Sequence, residues 1–331
     1  MRAALKCFKE EKEKKRRNHQ GTKSTKEDNK LYLNSWCPWC LGGSNILGLR
    51  PQSLVDWLAG REHNAPRENA LVSRGNSAVT SLPPRRGSYG IDAPYAPALL
   101  ALGGVGLLVL CAWRIWDADA VAALPHRIGI AATGLAGLWL LLNAGVFVYT
   151  TRVGKFAVWA ELLDRLDLKG DERLLDVGCG RGAVLLMAAQ CLPRGKAVGV
   201  DVWSTTDQSG NAEQVTRRNA VLEGVADRIE LHTADMRQLP FDDGSFDVVV
   251  SSLAIHNVPG AGERAKALRE AARVLKKGGK LMIADIRHTR AYARELAACG
   301  LAITENRSLG IRFWYTAGPW GATRLVAATK A

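Results

Sequence analysis

Two long uncharged segments restrict what this chain can fold into more than any other feature of its sequence. Residues 96–113 (APALLALGGVGLLVLCAW) carry no charged side chain over 18 residues, and residues 128–151 (IGIAATGLAGLWLLLNAGVFVYTT) carry none over 24. A helix needs about 20 apolar residues to cross the hydrocarbon core of a bilayer. Aromatic residues near the segment ends suit the interface, and small residues permit close helix packing. The pattern predicts a transmembrane helical hairpin over residues 93–151. The alternatives are two buried helices of a soluble protein, or a helix lying on the bilayer.

The charges that flank these segments predict the orientation of the hairpin. Two arginines at 85–86 precede the first segment, and Arg152 and Lys155 follow the second. The arginines of the connecting stretch 114–127 are offset by two aspartates. The positive-inside rule therefore predicts a membrane protein with both termini in the cytoplasm.

The stretch before the hairpin has a different composition. Residues 1–92 are polar and basic, and they supply much of the formal net charge of +13. Such a composition is typical of a disordered, solvated tail, and no nucleic-acid partner is expected because no aromatic–basic RNA-binding motif follows. Cys37 and Cys40 have the spacing of a redox or zinc pair, but they lack the strand–helix context and a second close Cys/His pair. No metal site is predicted.

Between residues 154 and 331, apolar strand-like runs alternate with helical patterns. This alternation is typical of a parallel sheet covered by helices on both faces. The last two runs have no helix between them and predict an antiparallel hairpin at the sheet edge. The predicted strands are Arg173–Val177, Ala197–Asp201, Ile229–His232, Phe246–Ser251, Lys280–Asp285, Ala302–Asn306 and Thr323–Ala328, and the predicted helices include Gly182–Cys191, Asn211–Glu223 and Gly262–Leu275.

The strongest local signal is LLDVGCGRG at residues 174–182, in which an apolar strand runs into a glycine turn and then a helix. Glycines permit tight backbone conformations and close approach of a ligand, and the helix start offers free amide donors. With Ala183, Gly178 and Gly180 also fit the dinucleotide fingerprint, and Asp201 follows about 20 residues later. A nicotinamide-dependent oxidoreductase and an ordinary strand–helix turn therefore remain open on this motif alone.

Further residues distinguish these alternatives. Asp176 stands at the mouth of the turn, where a carboxylate would repel an anionic pyrophosphate and favour a cationic sulfonium cofactor with an ammonium group. Four more motifs follow in order: TADM at 233–236, LPF at 239–241, SFDVVV at 245–250 and ARVLKKGGKL at 272–281. As an ordered set, these motifs resemble the class I S-adenosylmethionine-dependent methyltransferases, in particular the group that includes the ubiquinone/menaquinone and sterol enzymes.

The resemblance covers roughly residues 154–331 and implies an α/β, Rossmann-like seven-stranded class I methyltransferase sheet that binds S-adenosyl-L-methionine. It implies that the glycine turn and Asp176 hold the methionine part, that Asp201 takes the ribose hydroxyls, that Asp235 and Met236 read the adenine, and that Ser251 or Ser252 faces the cofactor near the methyl group. The implied cofactor residues are Asp176, Gly178, Gly180, Gly182, Asp201, Asp235, Met236 and Ser251. As alternatives, Asp201 and Asp235 could simply cap the helices that follow them.

The polar stretch 202–210 departs from the family pattern and is a candidate substrate loop. His256 follows the fourth strand, and ligands of such sheets sit at the carboxyl ends of strands. Because histidine titrates near neutral pH, His256 is the candidate general base if the acceptor must lose a proton. A histidine that only braces the loop backbone is the alternative. Asp285 follows the fifth strand on the same edge. The aromatic cluster 310–316 is expected to pack in the hairpin of the two edge strands; shielding of an apolar acceptor and anchoring at a lipid interface are the alternatives.

Together these features predict a membrane-anchored methyltransferase with a small, lipophilic acceptor. Two other classes remain as alternatives. A nicotinamide-dependent oxidoreductase conflicts with Asp176 and with the Asp235–Met236 pair, and a non-catalytic membrane adaptor conflicts with the intact glycine turn and the three acids.

Overall fold

A computed structural model describes residues 85–117 and 124–331 of the chain. The predicted tail therefore lies outside the described residues except for its last part, 85–92, and Cys37 and Cys40 lie outside them altogether.

Seven α-helices and seven strands make up the described regular structure, together with short 3₁₀ turns. The helices are α1 Tyr95–Trp116, α2 Leu124–Tyr149, α3 Lys155–Asp164, α4 Ala183–Cys191, α5 Glu213–Leu222, α6 Ala261–Val274 and α7 Thr289–Ala298. The strands are β1 Arg173–Val177, β2 Lys196–Asp201, β3 Ile229–Thr233, β4 Phe246–Ser252, β5 Leu275–Asp285, β6 Leu301–Ser308 and β7 Arg324–Lys330.

All seven strands form one sheet in the order β3-β2-β1-β4-β5-β7-β6. The first five strands run parallel to one another, whereas β7 runs antiparallel to both β5 and β6. The central strands are continuous apolar runs because helices cover both faces, as the fully buried Leu174, Leu175 and Val250 show. The predicted seven-stranded, mostly parallel α/β sheet with an antiparallel hairpin at its edge is confirmed. The strand order reverses between β1 and β4, and this switch point opens a crevice at the strands' carboxyl ends.

The predicted hairpin corresponds to α1 and α2, which pack along each other. At their crossing, a Cβ added at Gly104 would lie 2.9 Å from the carbonyl oxygen of Gly137, so small residues set the close approach. By length and composition, α1 and the continuous helical segment Leu124–Asp164 could each cross a membrane. Their outer faces expose large apolar side chains, among them Leu99, Leu102, Val109, Leu135 and Leu138.

A five-residue π-helical segment, Thr150–Gly154, joins α2 to α3 without a break in the helix. The edge loop, residues 309–323 between β6 and β7, packs against this region. The Ala317 amide donates to Asn143 Oδ1 at 2.9 Å, and the rings of Phe147 and Tyr315 meet edge to face with their centroids 4.9 Å apart. The hairpin and the sheet domain are thus joined by side-chain contacts as well as by the chain.

Residues 85–93 form an N-terminal strap over the domain. Two backbone amides, those of Arg86 and Gly87, donate to Glu223 Oε1 at 2.9 and 2.8 Å. Asp92 forms an isolated antiparallel bridge with Gln208. The sequence assigns residues 85–92 to the tail, but the structure packs them against the domain. Hydrogen bonds to α5 and to the loop after β2 hold the strap, and its Tyr89 and Ile91 side chains pack against the core.

Candidate functional site

A cavity of about 550 Å³ opens at the carboxyl ends of the parallel strands. Its lining has two parts. The glycine end follows β1, β2 and β3 and includes Asp176, Gly178, Gly180, Asp201, Asn211, Asp235 and Met236. The hairpin end includes Asp92, Tyr95, Ala96, Phe147, Lys155, His256 and Tyr315. One cavity therefore connects the predicted cofactor residues to the base of the hairpin.

The glycine turn brings the backbone close to its neighbours. Gly178 has a φ of +77°, and a Cβ built on it would lie 2.2 Å from the Cβ of Ala254. Only glycine satisfies both conditions, because L side chains rarely adopt this φ and no space exists for one. Gly180 also lines the cavity, whereas Gly182 lies behind the wall as the left-handed residue that precedes α4.

Asp176 brings a buried oxygen without a hydrogen-bond partner to the cavity. Its side chain is buried, and its Oδ1 has no hydrogen-bond partner in the part of the chain that the structure describes. Burial, reinforced by the negative charge of Asp201, raises the pKa of the Asp176 carboxyl to about 8. The Oδ1 of buried Asn211 also lacks a partner there. Unpartnered buried oxygens are costly, so both atoms fit a ligand that brings hydrogen-bond donors and positive charge.

Asp201, at the end of β2, organises the turn and the loop that follows it. Its carboxylate accepts the Gly180 amide at 2.8 Å, the Trp203 amide at 2.6 Å and the Asn211 Nδ2 group at 3.2 Å. The predicted ribose carboxylate therefore also serves as an internal brace. The loop predicted at 202–210 contributes Gln208 and its neighbours to the cavity wall.

Of the remaining predicted cofactor residues, some line the cavity and one does not. Asp235 and Met236 line the cavity, and hydrogen bonds from Arg237 hold the pKa of the Asp235 carboxyl below its usual range. Ser251 does not line the cavity: it is buried, and its hydroxyl donates to the Val177 carbonyl at 2.8 Å. The neighbouring Ser252, the other residue considered, lines the cavity, because successive side chains of a strand point to opposite faces.

His256 lies in a short 3₁₀ turn on the cavity wall beside a buried carboxylate. Its Nδ1 is 2.6 Å from Asp285 Oδ1, and its backbone amide donates to Oδ2 at 3.1 Å. The Nδ1 contact is close, but its angle is poor for a hydrogen bond. Asp285 is fully buried and also accepts from the Ile286 amide and the Tyr292 hydroxyl. With Nδ1 against Asp285, Nε2 is the ring nitrogen left for a ligand.

Several cavity residues escape prediction from the sequence. Asp92, Lys155 and Tyr315 meet at the hairpin end, although 63 positions separate the first two and 223 separate Asp92 from Tyr315. No motif connects such distant positions, and the only sequence signal is a polar residue at each end of the hairpin. Tyr315 packs against α2 and also lines the cavity, so the aromatic cluster both packs and faces the cavity. Among the residues that the structure describes, no group of His, Cys, Asp and Glu could hold a metal ion.

Comparison with known proteins relates the middle of the chain to methyltransferases. Residues 175–283 match the family model described as a methyltransferase domain. Methyltransferase GfsG of Streptomyces halstedii is 36% identical over 126 residues, which are 38% of this chain and 42% of the relative. The ubiquinone/menaquinone biosynthesis C-methyltransferase UbiE of Geobacter sp. is 37% identical over 146 residues, 44% of this chain and 55% of the relative. The sterol 4-C-methyltransferase strm-1 of Caenorhabditis elegans is 30% identical over 134 residues, 40% of this chain and 37% of the relative.

These alignments span about half or less of the length of the relatives. Among solved structures, a geranyl diphosphate methyltransferase in complex with SAM is similar over 53% of this chain and 85% of its own, with a TM-score of 0.44 and 20% identity.

Proposed function

We propose that this chain, which carries a methyltransferase domain over residues 175–283, is a membrane-attached, S-adenosyl-L-methionine-dependent methyltransferase. The observation that carries the proposal is the buried carboxylate of Asp176, whose Oδ1 has no partner among the described residues, beside the glycine turn at the switch point of the sheet. When bound, the sulfonium cofactor supplies an activated methyl group. The protein then has to bind and orient the two reactants, which can contribute up to roughly 7–11 kcal/mol of the barrier.

The glycine end supplies groups that suit the cofactor. Asp176 and the glycine turn would hold the cationic methionine part, Asp201 the ribose hydroxyls, and Asp235 with Met236 the adenine. Asn211 adds an unpartnered acceptor next to Asp201. A dinucleotide would place an anionic pyrophosphate at the glycine turn beside Asp176, so the nicotinamide alternative is disfavoured.

His256 is proposed as the general base for an acceptor that must lose a proton. Asp285, 2.6 Å from Nδ1, would orient the imidazole and stabilise the imidazolium formed when Nε2 takes the acceptor's proton. The alternative loop-bracing role is weakened by one contact. The backbone amide of His256 already ties the loop to Asp285, so the side chain is not needed for that bond.

The acceptor is proposed to be a small lipophilic molecule that reaches the cavity from the membrane. Helix α1 begins and helix α2 ends at the hairpin end of the cavity, where Ala96 of α1 and Phe147 of α2 line it. The names of two relatives refer to sterol and quinone substrates, which are lipophilic. We place the catalytic domain in the cytoplasm on the flanking charges, among them Arg85 and Arg152.

Calorimetry on the full-length protein tests the cofactor assignment. S-adenosylhomocysteine, the demethylated product, should bind, and NAD should not. Binding of NAD without binding of S-adenosylhomocysteine would refute the proposal. Incubation with labelled cofactor and a lipid extract, followed by identification of the labelled product, then identifies the acceptor.

A further inference from the structure

The hairpin end of the cavity contains a cluster of charged and polar side chains to which the proposed methyl transfer assigns no role. Lys155 Nζ donates to Oδ1 and Oδ2 of Asp92 at 2.9 and 2.8 Å, and the Tyr315 hydroxyl donates to Oδ2 at 2.8 Å. The Lys155 side chain is only 5% exposed. We call Asp92, Lys155 and Tyr315 the hairpin triad.

The bonds within the hairpin triad determine what it can still bind. Asp92 is saturated, because Gln208 Nε2 also donates to it at 3.2 Å. Lys155 has three N–H groups, of which Asp92 takes two, and across residues 85–117 and 124–331 Nζ has no other hydrogen-bond acceptor. Burial, together with the charge of Asp92, raises the pKa of Tyr315 well above its usual value, so its hydroxyl stays protonated. The triad therefore offers one ammonium donor and, beside the Thr151 hydroxyl, the phenol oxygen as an acceptor, without net charge.

A purely structural role explains this arrangement poorly. The hairpin triad joins the strap, the start of α3 and the edge loop, but apolar residues could join them at least as well. Removing two charges from water offsets most of their attraction, so a buried ion pair is weak support for stability. Lys155 also follows directly after the π-helical segment Thr150–Gly154. Such π segments inside longer helices occur frequently at functional sites.

We infer that the hairpin triad binds the polar head of the acceptor, a hydroxyl or carbonyl group on a molecule with an apolar chain. The Lys155 ammonium donates to an oxygen of this head, and the Tyr315 oxygen accepts from a hydroxyl of the head. The apolar chain lies along Ala96 and Phe147 towards the hairpin. Because Asp92 neutralises Lys155, the subsite does not repel the cationic cofactor. This inference rests on the proposed function.

A matched pair of probes tests the subsite. Full-length protein in phosphatidylcholine nanodiscs, saturated with S-adenosylhomocysteine, is titrated with farnesyl hydroquinone and with farnesylbenzene, which lacks the hydroxyls. The wild type should bind the hydroxylated probe about tenfold more tightly or better, since a hydrogen bond to a charged group is strong. In Lys155→Met this preference should disappear. Lys277→Met, at an exposed lysine outside the cavity, is the control and should keep it.

Tyr315→Phe keeps the ring packing and removes only the hydroxyl, so it serves if Lys155→Met fails to fold. It should lose part of the preference. An unchanged preference in a folded Lys155→Met or, failing that, in Tyr315→Phe overturns the inference. It is also overturned if the variants weaken both probes and S-adenosylhomocysteine equally, as a structural role requires. If wild-type protein does not bind S-adenosylhomocysteine at all, the proposed function itself has failed.

Discussion

At the residue scale, the proposed role of Asp176 predicts that cofactor binding depends on pH. A carboxyl with a pKa of about 8 is mostly protonated at pH 7, but a cationic ligand favours its ionised form. Binding at pH 7 should therefore release close to one proton, and affinity should rise by up to about tenfold per pH unit towards pH 8. Calorimetry in buffers of different ionisation enthalpy measures the released proton. In Asp176→Asn the release should vanish and binding should weaken, and equal proton release by both proteins would contradict the assignment.

The same carboxyl should reduce the stability of the cofactor-free protein at high pH. Its pKa in the folded protein lies well above the value of about 3.9 for an unfolded chain, so the folded state binds more protons. The free energy of unfolding therefore falls as pH rises from about 4 to about 8. Asp176→Asn removes this loss. Thermal denaturation should show the variant more stable than wild type at pH 9 and similar to it at pH 4; a variant that is less stable at pH 9 would show that Asp176 stabilises the fold.

His256 permits a test that separates catalysis from loop structure. If it is the base, His256→Ala should lower turnover by roughly 10²–10⁴-fold and leave cofactor affinity and thermal stability unchanged. The loop should hold, because the backbone amide of residue 256 keeps its bond to Asp285. Turnover is measured on the identified acceptor, with a variant of an exposed histidine outside the cavity, His126→Ala, as control. Combined loss of stability and cofactor affinity would instead assign His256 to loop bracing, and normal turnover with normal stability would exclude both roles.

The sequence predicts site residues that lie close together along the chain, but it does not predict contacts between residues that are far apart in the sequence. Asp176 and Gly178 belong to one continuous strand–turn motif, so their joint position follows from the motif. Asp92 and Tyr315 could not be paired in advance, because each contact depends on how three distant segments pack. Which of Ser251 and Ser252 faces the cavity depends on the face of the sheet to which each side chain points. Adjacent residues of a strand point to opposite faces, so an error of one residue exchanges the two.

At the element scale, the positions of the helices and strands along the chain were predictable, whereas the structure of the segments that connect them was not. Strand β1 matches its predicted bounds, because a buried parallel strand is a bounded apolar run. The sequences of the strap at 85–93 and of the edge loop at 309–323 show neither the periodicity of a helix nor that of a strand. Their positions come from individual hydrogen bonds and ring contacts, such as that between Trp139 and Trp320.

A single glycine marks where the edge loop meets the hairpin. A Cβ added at Gly154 would lie 1.7 Å from the carbonyl oxygen of Arg312, an impossible separation, so the loop must move away. Gly154→Ala should therefore destabilise the protein by about 1–3 kcal/mol or more, as overpacking does. Gly145→Ala is the matched control, since nothing lies within 4 Å of its added Cβ, and it should change little. Thermal denaturation in detergent compares them, and equal melting temperatures would refute the close contact.

At the scale of the whole molecule, the hairpin does two things. Its outer faces are apolar enough for lipid, and its base supplies part of the cavity wall through Ala96 and Phe147. A chain beginning at Lys155 would keep the glycine turn but lose Asp92 and the strap. Such a truncated protein is therefore expected to lack part of the hairpin end of the cavity. Activity should therefore be measured on the full chain.

Membrane attachment can arise from the hairpin or from the basic tail, and the two respond differently to salt. Attachment by the tail is electrostatic and is screened within about 3 Å at 1 M salt. The 22 residues of α1 span about 33 Å as a helix, enough for the hydrocarbon core, and apolar burial does not weaken at high salt. Full-length protein should therefore remain with membranes after 1 M salt and after a carbonate wash, and so should a variant that lacks residues 1–84. If salt alone releases the full-length protein, or if removing residues 1–84 releases it, the tail is the attachment and the hairpin packs elsewhere.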